Sequence, residues 1–79
     1  MATELRAVLD RAVDGLPPRQ RIVVMLRDIE GYPSDEVCAI LDITAANQRV
    51  LLHRGRAAVR ARLEHYFAMT DGPDPAGGG

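Results

Sequence analysis

The stretch SDEVCAILDITAANQRVLLHRGRAAVR (34–60) decides the fold. Its first eight residues put Val37, Ile40 and Leu41 on one side, with Cys38 beside them. That spacing is the signature of a short amphipathic helix. Ser34 precedes it as an expected N-cap, and Asp35 and Glu36 occupy the first turn, where the helix dipole favours negative charge. Asp42 is expected to end the helix, because Asp tolerates turn and left-handed backbone better than most residues. After Ile43, Thr44 is a second expected cap, opening a helix over Ala45–Phe67. At 100° per residue, Ala45, Leu52, Val59 and Leu63 share one face of that helix, with Tyr66 close to it. Gln48 falls on the inward face as an expected satisfied polar group, and Leu51 lies at the side toward the shorter helix. Val50, Arg54, Ala57 and Ala61 lie opposite, while Arg49, His53, Arg56 and Arg60 line a flank. Gly55 interrupts this helix and marks either a close approach by another helix or simple drift. A short helix, a three-residue turn and a longer basic helix make a helix-turn-helix.

Working outward, Pro18–Glu30 reads as another helix, started by proline and stopped at Gly31. Ile22, Met25, Leu26 and Ile29 are expected to form its buried stripe. Val23 and Val24 extend the apolar surface nearly around it, which predicts central packing, or else a surface covered by a partner. Thr3–Asp14 reads as a first helix, with Leu5, Val8, Leu9 and Ala12 continuing to Leu16 on one face. Met69–Gly79 is rich in Gly and Pro without periodicity and is expected to be disordered. The expectation is therefore an all-α, four-helix domain over 1–68 with a C-terminal helix-turn-helix.

Composition agrees. Seventy-nine residues suffice for one domain, and with one Phe, two Tyr and no Trp the core must come from aliphatic side chains. No run approaches the ~18 apolar residues that cross a membrane, and the first twenty residues are charged throughout, unlike a secretory leader. The lone Cys38 excludes an internal disulfide and a cysteine-based zinc site, and reads as a small core residue. His53 and His65 have no ligand partners at metal-binding spacing. A cytoplasmic chain without metal or cofactor is expected. No nucleophile–base pair and no phosphate-binding glycine loop is present in the sequence, so an enzyme acting on a small-molecule substrate is not expected.

The net charge of −1 conceals an asymmetry. Residues 1–48 hold five Arg against eight acidic residues, a balance of −3, whereas residues 49–64 hold five Arg and one Glu, a balance of +4. The last fifteen residues add two Asp. A short basic block on an acidic chain is the footprint of a local polyanion contact. Every cation is arginine, whose planar fork suits guanine and phosphate. In a major groove, the first turns of the last helix would meet base edges, which points to Asn47, Arg49, Val50, His53 and Arg54. The free N–H groups of 45–47, with the Thr44 hydroxyl, would take a phosphate, and Arg56, Arg60 and Arg62 would reach other phosphates.

Three segments together carry a resemblance: LPPRQRIVVMLRDIEGY (16–32), SDEVCAILDIT (34–44) and NQRVLLHRGRAAVR (47–60). In this order and spacing they resemble region 4 of the extracytoplasmic-function sigma factors, over about residues 5–67. The resemblance implies a four-helix domain that reads the minus-35 promoter element and docks on the beta-subunit flap of RNA polymerase core. It implies base contacts at Arg49, Val50, His53 and Arg54, and phosphate contacts at Arg27, Thr44 and Arg56. It also implies a separate N-terminal domain for the minus-10 element, and an anti-sigma factor as a further candidate partner. Pro33, Asp42 and Gly55 depart from the family pattern, and the first of these is expected to shift the helix cap to Ser34. Gln48 and Leu51 belong to a variant form of the recognition helix. Two other readings compete. A response-regulator output domain would carry an LT-x-RE start, which LPPRQR does not match; a protein-interaction module without DNA contact is supported by the acidic front half and the apolar excess of the second helix.

Overall fold

A computed structural model describes residues 2–70, and side chains over 4–69. All regular secondary structure among the described residues is helical: α1 (Ala2–Asp14), α2 (Pro18–Val24), continued by a π-helical turn over Met25–Ile29, α3 (Ser34–Leu41) and α4 (Ala45–Thr70). No strand occurs among them. Of the expected tail, Met69 and Thr70 belong to α4, and 71–79 lie outside the described residues.

Local chemistry sets the boundaries. Gly15 and Leu16 close the end of α1 by donating to the carbonyls of Arg11 and Val13, both at 3.1 Å. Pro17 then takes the extended conformation of a cap (φ −55°, ψ 147°), and Pro18 fills the first helical position, where a missing N–H costs nothing. The expected stop at Gly31 is present, with φ at +83°. The turn before it is wider than an α-turn. Glu30 N–H reaches the Met25 carbonyl at 2.8 Å, and Tyr32 N–H reaches that of Leu26 at 2.9 Å. The cap of α3 is Pro33 rather than Ser34, which is already helical and makes no capping bond. Pro33's fixed φ with ψ at 161° is itself a cap conformation, and its carbonyl accepts from Val37 N–H at 3.1 Å. Asp42 adopts the left-handed conformation (φ 57°, ψ 53°), turning the chain so that Ile43 N–H bonds back to the Cys38 carbonyl. Thr44 caps α4 as expected: its Oγ1 accepts from Asn47 N–H at 3.0 Å.

The core is small and aliphatic. Val13 and Leu16 from the α1 end, Val23 and Val24 from α2, and Leu52 from α4 form its centre, with Leu41, Ile43, Leu51, Ala58 and Val59 packed around it. Helix α2 is central, yet turned opposite to the expected orientation. Val23 and Val24 are buried, Leu26 is half-buried, and Ile22, Met25 and Ile29 are exposed. The neighbours explain the choice. Helix α4 crosses α2 at Gly55, where an added Cβ would stand 2.6 Å from Val24 Cγ2 and 3.5 Å from the Gln20 carbonyl oxygen. That close approach fixes the Gln20–Val24 side inward and resolves Gly55 as a packing requirement. Leu5, Ile40 and Ala45, expected inside, are exposed as well. Each lies at an end of its helix, where neighbouring helices cover less of it.

Candidate nucleic-acid interface

Helix α4 presents two unlike sides because its sequence alternates them at helical spacing. Gln48, Leu52 and Gly55 are buried, and Val59, Leu63 and Tyr66 continue that line half-buried. The other side carries Asn47, Arg49, Val50, His53, Arg54 and Arg60, all exposed. Arg49, Val50, His53, Arg54, Arg56 and Arg60 line one shallow outer concavity, and no acidic residue lines it. Arg49, His53, Arg54 and Arg60 make no hydrogen bond or ion pair among the described residues. Their donors are therefore available, and none of them is paired with a carboxylate. Asn47 stands one turn nearer the helix start, its backbone N–H used by the Thr44 cap, so the unbonded amides there are those of Ala45 and Ala46.

Three expected phosphate-binding arginines behave differently. Arg56 is in an ion pair: its Nε and Nη2 donate to Asp28 Oδ2 and Oδ1, at 2.9 and 2.5 Å, across to the π-turn. The bond to Arg56 holds the Asp28 carboxyl below its ordinary range, against a smaller opposing effect of burial. Arg27 lies outside the α4 cluster. It is half-buried, its Nη1 donates to the Tyr32 carbonyl at 3.2 Å and braces the Gly31 turn, and its buried Nε has no protein partner. Arg62 turns away from the cluster, its Nη1 about 3.4 Å from where a Gly15 Cβ would stand at the end of α1. There a cation faces the negative end of the helix dipole.

The inner side also corrects one expectation. Gln48 is 1% exposed, but its Oε1 has no hydrogen-bond partner, so it is buried without being satisfied. The role of Asp28 escaped the sequence reading, since nothing in the spacing of residues 28 and 56 marks a contact. Among the described residues no group of His, Cys, Asp and Glu could hold a metal ion. No helix among the described residues is long and apolar enough to cross a membrane.

Comparison with known proteins places the chain in a family. Residues 6–59 match the family described as sigma-70, region 4. The chain is 38% identical over 68 residues to the ECF RNA polymerase sigma factor SigE of Mycolicibacterium smegmatis, covering 86% of this chain and 26% of that protein. It is 28% identical over 64 residues to the ECF RNA polymerase sigma-E factor of Escherichia coli K12, covering 81% of this chain and 34% of that protein. The chain thus spans between a quarter and about a third of the length of these curated relatives. No solved structure gives a significant match.

Proposed function

Because this chain belongs to the sigma-70 region 4 family, we propose that it is the promoter-reading domain of an extracytoplasmic-function sigma factor and lays α4 in the major groove of the minus-35 element. The observation that carries the reading is the outer side of α4, where Arg49, His53, Arg54 and Arg60 are exposed together and none of them is held by a carboxylate. A helix of this kind fits the major groove, and its N-terminal turns meet base edges.

Roles follow from position. Arg49 and Arg54 can each take O6 and N7 of guanine, Val50 can meet a thymine methyl, and Asn47 and His53 can bond base edges from the same turns. Arg60, further along, and Thr44 with the free amides of Ala45 and Ala46 bind phosphates, which position the helix without choosing sequence. Arg56 joins them through the donors that Asp28 leaves unused. For Arg27 the family resemblance is the support, since its side chain is turned to the Tyr32 carbonyl.

Docking on polymerase uses the other surface. Ile22, Met25 and Ile29 leave an apolar face on α2 and its π-turn that no part of the described chain covers completely. That face suits the beta-subunit flap of RNA polymerase core, and an anti-sigma factor would act by covering it or the arginine side. The domain binds and positions in the cytoplasm, where polymerase works; it needs no cofactor and catalyses nothing.

A randomised duplex pool titrated at two salt concentrations tests the reading. One sequence should be enriched, and affinity should fall linearly with salt on logarithmic axes. Arg54→Ala should cost about 1–3 kcal/mol on the selected duplex and change the preferred base, whereas Arg60→Ala should weaken all duplexes alike. Unaltered affinity and sequence preference in both variants would refute it.

A further inference from the structure

We propose that Asp28 is a positioning residue for DNA binding: it grips one edge of the Arg56 guanidinium and leaves the other edge ready for a backbone phosphate. The inference rests on the promoter-reading proposal above. A guanidinium has five N–H donors in a rigid plane, arranged so that two separate edges can each take an oxyanion. Asp28 occupies one edge completely, with Nε and Nη2 bonded to its two oxygens. The second edge, made by Nη1 and the remaining Nη2 hydrogen, has no partner among the described residues. Arg56 lines both the outer concavity, with Arg49, Arg54 and Arg60, and the neighbouring one that holds Asp28, so it stands at the edge of the surface proposed to face the duplex.

The alternative role for Asp28 is a counter-charge that weakens Arg56 and repels phosphate. Geometry favours positioning. A freely rotating arginine must be ordered at the moment of binding, and one already held loses less entropy on contact. The pair also spans two helices: Asp28 sits on the π-turn and Arg56 on α4, so the guanidinium is referenced to the core rather than to its own helix alone.

A double-mutant cycle on the 79-residue chain separates the two roles. Wild type, Asp28→Ala, Arg56→Ala and the double variant are titrated against the duplex selected from the random pool, and each is checked by thermal melting. Asp28→Ala should weaken binding about threefold, the loss expected for one unordered long side chain, and should have no effect in the Arg56→Ala background. Arg56→Lys keeps the charge but has no second edge, so Asp28→Ala should be silent there too; Asp28→Asn replaces Asp28→Ala should the alanine variant fold poorly. Tighter binding by Asp28→Ala, unchanged binding, or an equal loss in both backgrounds overturns the positioning role. If Arg54→Ala weakens binding while Arg56→Ala does not, this inference fails and the promoter reading stands. If Arg54→Ala and Arg60→Ala are both without effect, the promoter reading itself has failed.

Discussion

Helices α2 and α4 cross at Gly55, and they differ in how far their sequences declare an inside. Along α4 the inner positions are Leu52, Gly55 and Val59, and the outer ones are largely arginine, so only one orientation avoids burying charge. Around α2 and the start of its π-turn, Ile22–Leu26 is an unbroken apolar run that wraps the helix, and either side could be buried. The protein buries Val23 and Val24 and leaves out the broader stripe of Ile22, Met25 and Ile29. An apolar pattern orients a helix only when the opposite face is costly to bury. Where it is not, the smaller side chains that permit a close crossing prevail.

The sharpest way to break this comparison is to truncate the two faces of α2 separately. Val23→Ala, at a position with no exposed surface, should cost about 2–3 kcal/mol, from lost burial and an unfilled cavity. Ile22→Ala, on the open face, should stay within about 0.5 kcal/mol. At about 4–8 °C per kcal/mol for a domain of this size, thermal melting resolves the two. Equal losses would mean that the open face is covered in solution.

The crossing itself gives a smaller effect. Gly55→Ala should destabilise by about 1–2 kcal/mol despite the better helix propensity of alanine, because stiff, buried Val24 cannot yield easily to the new methyl. Ala57→Gly, exposed two residues away, should cost about 0.5–1 kcal/mol through propensity alone. A stabilising Gly55→Ala would show that the contact with Val24 relaxes freely.

A change of opposite sign concerns the inner side of α4. Gln48→Met keeps the volume and removes the unpartnered Oε1, and should raise stability by about 1 kcal/mol. A lower melting temperature would show instead that the amide is satisfied in solution. Among these variants this one alone is expected to stabilise.

Much of the molecule was legible in its residues, for local reasons. Gly31, Asp42 and Thr44 mark turns and caps through backbone conformations and hydroxyl bonds that need only neighbouring residues. The split of arginines from aliphatics on α4 needs only helical periodicity. The exceptions are also instructive. Ser34 was a reasonable cap on composition, yet Pro33 already held the required backbone. Leu5 and Ile40 fit their helical stripes, but burial depends on whether another helix covers that turn. The free arginines of the candidate interface could be named in advance, but Asp28 could not, because a residue 28 positions away leaves no local trace.

Chain chemistry alone thus determined the number of helices, their limits to within a few residues, and the charged side of α4, since all of these follow from interactions within a few turns. Packing decided which face of α2 is inside, why position 55 is glycine, and which of the arginines are held and which are free. Those outcomes depend on contacts between segments distant in sequence, whose steric fit and ion pairing exist only once the helices have met.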